Sequence, residues 1–213
     1  MKLAKFFAVA FLLTACHHGP NVIGVQNGLT PAAVAKADGG QVPIVQADID
    51  FMSGMIGHHA QAVQMAGWAP SHGAGTSVRI LCERIVVGQR DEIGLMQGWL
   101  RGRKLAVPEA DPAGWRMMMN GQAHTMKMPG MLTEEQMKEL DAARGAEFDR
   151  LFLKYMIQHH EGAITMVTSL FGSNGAAQDE LVFKFASDVQ VDQATEIARM
   201  KLMLEAIPAV GSP

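Results

Sequence analysis

"GMIGHHAQAVQM" at residues 54–65 and "YMIQHHEGAITM" at residues 155–166 put the same unusual pair, two adjacent histidines beside methionine, twice into one chain. A helix turns about 100° per residue. Counted from Phe51, the residues Phe51, Met55, His58, His59, Ala62 and Met65 fall in one half of the circumference, and Ser53, Gly57, Ala60, Gln61 and Gln64 in the other. Phe152, Met156, His159, His160, Ala163 and Met166 gather in the same way. An apolar stripe of that width is the core-facing side of a helix. Both histidine pairs are therefore predicted to point inward.

Working outward, the two stretches belong to an internal repeat. At an offset of 101 residues, Asp48 matches Asp149, Phe51 matches Phe152 and Met55 matches Met156. A second block, "QRDEIGLM" at 89–96 and "QATEIARM" at 193–200, repeats at an offset of 104 and pairs Gln89 with Gln193 and Glu92 with Glu196. Steps of three and four carry Cys82, Ile85, Gln89, Glu92, Met96 and Trp99 along one face, and Ala186, Val189, Gln193, Glu196, Met200 and Met203 along another. Each half, about 45–101 and 145–206, reads as two helices joined by a turn: roughly 45–68 and 76–101, then 145–170 and 177–206. Breakers at 70–75 and 172–175 supply the turns. Residues 102–144 form a Met-rich crossover, in which Thr133 with Gln136 makes a capping box that opens a short helix. No strand-length alternating run is read. The expected fold is all-α, a ferritin-like four-helix bundle of two duplicated helical hairpins with a long crossover.

The first 15 residues stand apart. Lys2 and Lys5 precede an apolar run from Phe6 to Leu13 that is too short to span a bilayer, and "LTAC" follows. This is a secretion signal, and the last four residues resemble a bacterial lipobox with Cys16 as the lipidated first residue of the mature chain. The alternative is an ordinary signal cleaved nearby. Residues 16–44 read as a flexible tether, and 45–207 as the folded domain. The whole chain carries a formal charge of −3. Loss of the signal removes two lysines, so the mature chain is more acidic still. That argues against a nucleic-acid partner. With Cys16 acylated, Cys82 is a lone thiol and no internal disulfide forms.

The chemistry sits on the inward stripes. A buried carboxylate without a partner is costly, so Glu92 and Glu196 must meet the histidines or a metal. Di-iron carboxylate proteins use Glu-x-x-His. This chain has Met55-x-x-His58 and Met156-x-x-His159 instead, and thioether beside imidazole favours copper, Cu(I) above all, although another transition metal stays open. The candidate ligands are His58, His59, His159, His160, Met55, Met156, Glu92 and Glu196. His124, Met126, Met128 and Met131 in "HTMKMPGM" form a candidate second copper site, or else cover one end of the helices. A metal-free hydrogen-bond network that fixes helix register is the structural alternative.

The stretches "FMSGMIGHHAQAVQMA", "MPGMLTEEQMKEL", "GAEFDRLFLKYMIQHHEGAITMV" and "QATEIARMKLML" together resemble the bacterial secreted family known as domain of unknown function 305, over about residues 45–206. The resemblance implies a ferritin-like helical protein exported to the periplasm or cell surface, with copper binding in some members. It carries the paired histidines onto His58, His59, His159 and His160, and the family's Glu-Ile positions onto Glu92 and Glu196. The expected function is a lipid-tethered envelope protein that sequesters Cu(I) or exchanges it with a donor or acceptor protein. A metal-free interaction module and a ferritin-like metal oxidase are the alternatives. No phosphate loop, nucleophile elbow or Cys–His pairing points to other enzyme chemistry.

Overall fold

The structure is a computed structural model and describes residues 42–207. The signal segment, Cys16 and all but the end of the tether lie outside the described residues. The elements, in chain order, are α1 (Gln46–Gly67), α2 (Thr76–Gly102), β1 (Trp115–Met119), β2 (Gln122–Met126), α3 (Glu134–Ala142), α4 (Ala146–Phe171) and α5 (Glu180–Glu205). Helix α1 packs on α2, α4 packs on α5, and α1 lies against α4. Among the described residues no helix is long and apolar enough to cross a membrane.

The chain is mostly helical, as expected, and only the absence of strands is corrected, by a two-stranded antiparallel hairpin inside the crossover. Asn120 and Gly121 both have positive φ, 52° and 78°. That is the backbone of a two-residue turn whose twist matches that of paired strands, and Asn-Gly is the sequence best suited to it. The turn sets Met117 opposite His124 and Trp115 opposite Met126. Further along, the Thr133 side chain accepts from the Gln136 N–H at 3.2 Å, and the Gln136 side-chain amide oxygen accepts from Thr133 N–H at 2.9 Å. The capping box at α3 is therefore formed as its sequence requires.

Two aspartates matched in the repeat tie the hairpins to each other. Asp48, fully buried near the start of α1, accepts from Val45 N–H at 2.9 Å and from Ala177 N–H, just ahead of α5, at 2.7 Å. Asp149, near the start of α4, accepts from Gly75 N–H, just ahead of α2, at 3.1 and 3.0 Å. Each first helix thus holds the turn of the other hairpin, answering backbone donors that would otherwise be orphaned.

Most of the side of α1 expected to face outward is covered instead, and Gln64 alone of those residues is exposed. Ser53, Gly57, Ala60 and Gln61 are buried. A Cβ at Gly57 would stand 2.8 Å from the Gly114 carbonyl carbon, so the chain leading into β1 rests directly on α1. The Gln61 amide bonds to the crossover on both sides: its oxygen accepts from Leu132 N–H at 2.7 Å, and its NH2 donates to the carbonyls of Pro112 and Leu132 at 3.2 and 3.3 Å. Helical periodicity cannot show that a second layer will cover the outer face.

The core divides into two apolar clusters. One joins Ala62, Met65, Leu81, Ile85, Phe152, Met156, Ile197 and Met200, and the other joins Met52, Met55, Met96, Leu100, Ala163, Val167, Phe185 and Val189. In all four long helices the residues between the clusters are the polar ones: His58 and His59, Gln89 and Glu92, His159 and His160, Gln193 and Glu196.

Candidate metal centre

The four histidines are fully buried at the middle of the core. The His58 and His159 rings, one from each half of the chain, lie 3.8 Å apart between centroids with 36° between their planes. His59 and His160 flank them, at 6.1 Å from His58 and 6.2 Å from His159. Three of the four rings have one nitrogen committed. His59 Nε2–H donates to Glu92 Oε2 at 2.8 Å, and His160 Nε2–H donates to Glu196 Oε2 at 2.7 Å. His58 Nε2–H donates to the Pro129 carbonyl at 3.1 Å.

These bonds fix the tautomers. A carboxylate and a carbonyl can only accept, so Nε2 carries the proton and, in the neutral ring, Nδ1 holds the lone pair. Nδ1 of His58, His59 and His160 is buried with no hydrogen-bond partner, and so are both ring nitrogens of His159. Burial holds His58 and His159 well below the usual histidine range of 6.5. Next to burial, His59 and His160 lower His58, and His58, then His160 and His59, lower His159. Four imidazoles therefore present bare nitrogens to an interior closed to solvent. That is costly unless something accepts the lone pairs.

Met55 and Met156, fully buried, stand one helical turn before His58 and His159. They belong to different apolar clusters, so one thioether flanks the histidine layer from each side. The Pro129 carbonyl reaches His58 because the 129–130 segment lies directly on α4. A Cβ at Gly162 would fall 2.0 Å from the Pro129 oxygen, a separation only glycine permits. Pro129 is a participant the sequence did not announce, since a backbone carbonyl leaves no mark on residue type. The "MPGM" stretch was singled out for its sulfurs.

The residues of the expected second site are divided. His124 and Met126 lie exposed on β2. Met131 is buried with its sulfur accepting from Met128 N–H at 3.3 Å, and Met128 is half-buried against an apolar cluster. The expected first site is gathered into one layer, with Glu92 and Glu196 bonded to histidines. Among the described residues no three His, Cys, Asp or Glu side chains are arranged to hold a metal ion by themselves. Any metal here would rely on imidazole nitrogens with thioether help. That donor set fits a soft, low-coordinate ion such as Cu(I), and does not fit a hard one.

A predominantly helical protein with a buried, duplicated imidazole layer is the class that fold and site define. The chain belongs to the family described as Domain of unknown function (DUF305), whose sequence profile matches residues 48–204. Solved structures are similar to it. A DUF305 protein of Streptomyces coelicolor, thought to be secreted, shares 29% identity over 75% of this chain and 92% of its own, with a TM-score of 0.62. A DUF305 fragment from Deinococcus radiodurans shares 25% over 76% and 98%, also at 0.62. CopM in its Cu(II)-bound form shares 28% over 74% and 95%, with a TM-score of 0.57, and CopM has also been solved with Cu(I) and with silver. No curated protein matches the chain.

Proposed function

We propose that this protein binds Cu(I) in the bacterial envelope and stores it or hands it to another protein. The supporting observation is the state of the four rings. Metal-binding histidines characteristically donate their other N–H to a carboxylate or a carbonyl, which fixes the tautomer and the ring direction. His59 and His160 donate to Glu92 and Glu196, and His58 donates to Pro129, each leaving Nδ1 bare. On this reading the imidazoles are the ligands, Met55 and Met156 lend thioethers, and Glu92 and Glu196 orient rings. The long helices act as a bundle of ferritin-like connectivity that keeps the layer closed to solvent. Bound Cu(I) would supply a Lewis acid for the lone pairs and no proton chemistry.

Two further parts of the reading rest on sequence. Cys16 carries the lipid anchor that holds the domain at the membrane, and 16–44 tether it; loss of labelled-lipid incorporation in Cys16→Ala tests this. His124 and Met126, with Met128 and Met131 nearer the helices, form an exchangeable second copper site. The likeness to CopM, solved with copper and silver, supports the choice of metal.

The test is competition for Cu(I) between the purified protein and a chromogenic chelator. The parent should withdraw copper, and a His58→Ala/His159→Ala double variant should not. Equal affinity in both removes the histidine layer as the site. A metal-free reading has its own support, because His59 with Glu92 and His160 with Glu196 form complete pairs without any ion. It predicts no change in melting with any metal.

A further inference from the structure

The described chain begins at one end of the long helices, and that end differs from the other. Val42 lies there, its carbonyl accepting from Arg103 Nη1–H, just past α2, at 2.8 Å. Arg103 pairs with Asp179, which accepts from Leu181 and Val182 N–H at 3.1 Å and so caps α5. The end of α4 and its turn into α5 share this end with the start of α1, as the bond from Ala177 N–H to Asp48 requires. From Gly162 to Gln178 the chain has no ionisable residue. Phe171, the last residue of α4, meets Phe183 of α5 with ring centroids 5.7 Å apart, yet the two are 40% and 55% exposed. Leu181 and Val42 stand exposed at the same end, at 38% and 39%. The charges around them balance. Arg103 is paired with Asp179 and Lys184 with Asp188, and exposed Arg101 and Lys104 are matched by Asp50 and Glu180. The opposite end, where Gly145 N–H donates to the His72 carbonyl at 2.8 Å, is instead crowded with charge from Glu135, Lys138, Asp141, Arg144 and Glu147.

We propose that this end docks on the lipid surface, with Phe171 and Phe183 seated at the boundary between headgroups and acyl chains. Exposed apolar side chains that lie together mark an interaction surface, and Phe and Leu are the residues that settle at that boundary. The occupant follows from where the chain enters the domain: residues 17–41 join Cys16 to Val42, and Val42 is at this end. The proposal rests on the reading of Cys16 as the lipid anchor. An anchored chain meets the bilayer at the highest effective concentration where its tether attaches. The chain as a whole is acidic, but this end carries balanced charge and meets little repulsion from an anionic leaflet. The charged α3 end then faces away from the membrane.

The test places the full chain on vesicles of phosphatidylethanolamine and phosphatidylglycerol. A nitroxide is attached through Asn174→Cys, in the α4–α5 turn, or through Lys138→Cys, on α3 at the opposite end. Collisions with oxygen and with a water-soluble nickel complex report the depth of each label. The Asn174 label should be shielded from nickel and reached by oxygen, while the Lys138 label stays open to nickel. Phe171→Ser/Phe183→Ser should return the Asn174 label to the nickel access seen at Lys138, and Phe171→Leu/Phe183→Leu should keep the shielding. Both side chains are exposed, so the fold should survive in both variants, as melting will show. Equal nickel access at Asn174 and Lys138 in the parent overturns the proposal, and so does shielding that survives the serine pair. Shielding that appears without lipid as protein concentration rises also overturns it, because a second copy then covers the patch. The anchor is read separately, by incorporation of labelled lipid, which Cys16→Ala should abolish. If the parent incorporates none, the anchor reading fails alone, and the Asn174 label at saturating lipid still decides the docking.

Discussion

His58 and His159, 101 residues apart in the chain, face each other ring to ring at 3.8 Å in the middle of the core. Neither ring meets a charged partner. Two apolar clusters seal the layer from both ends, and the closed interior keeps both rings neutral. An unprotonated imidazole is the form that binds metal.

The same burial makes the metal-free protein acid-sensitive. A histidine whose folded pKa is depressed takes up its proton more readily when unfolded, so its contribution is fully present above pH 6.5 and is lost as pH falls below that value. His58 and His159 both behave this way. Denaturant melts of the copper-free protein should show stability declining from about pH 6.5 downward. The decline should be shallower in His58→Phe/His159→Phe, and an equal slope in parent and variant would exclude these two rings as its source.

Glu92 and Glu196 are expected to matter for copper without touching it. Removal of a group that orients a metal-binding histidine typically costs about 10- to 100-fold in affinity. Glu92→Leu/Glu196→Leu should weaken Cu(I) binding by that order, whereas Glu92→Gln/Glu196→Gln, which can still accept from Nε2–H, should weaken it less. Equal losses in the two would mean that the carboxylate charge, and not the orientation, is what counts.

Glycines in the long helices should respond in opposite directions. Ala at Gly98, where an added Cβ meets nothing within 4 Å, should stabilise by about 0.5–1 kcal/mol through helix propensity alone. At Gly162 the same change drives Cβ to 2.0 Å from the Pro129 oxygen. Backbone cannot yield as a side chain would, and overpacking of this kind costs about 1–3 kcal/mol. Gly162→Ala should lower the melting temperature and break the His58–Pro129 bond. Equal melting of both alanine variants would show that the 129–130 segment is not held against α4.

Cys82 should be inert. It is 1% exposed in the core, and burial pushes its thiol well above the usual range, with Asp149 and Glu83 adding to the shift. Thiolate is the reactive form. Iodoacetamide should label Cys82 in denaturant and leave the native protein essentially unmodified; rapid native labelling would show that the core opens there.

The helical pairs were legible because their apolar stripes keep a strict period and recur in both halves, and the inward direction of the four histidines followed from that period. The link from His59 to Glu92 and from His160 to Glu196 was anticipated only as a need for partners. Spacing within one helix cannot say which ring meets which carboxylate. The hairpin escaped because β1 and β2 carry methionines and polar residues without clean alternation, although Asn120-Gly121 signals a tight turn. The burial of Gly57 and Gln61 was hidden for another reason: they are covered by the crossover, and coverage by a distant segment leaves no period on the helix beneath. The split of His124 and Met126 from Met131 likewise depends on where the hairpin ends.

The most direct test of the histidine layer is a long-range proton–nitrogen correlation spectrum of the imidazoles, recorded with and without Cu(I). Copper should shift the Nδ1 resonances of the layer strongly, while the Nε2–H signals of His58, His59 and His160 persist, because those protons stay on Nε2, donated to Pro129, Glu92 and Glu196. Unchanged Nδ1 resonances at saturating Cu(I), or loss of the Nε2 protons, would contradict the account.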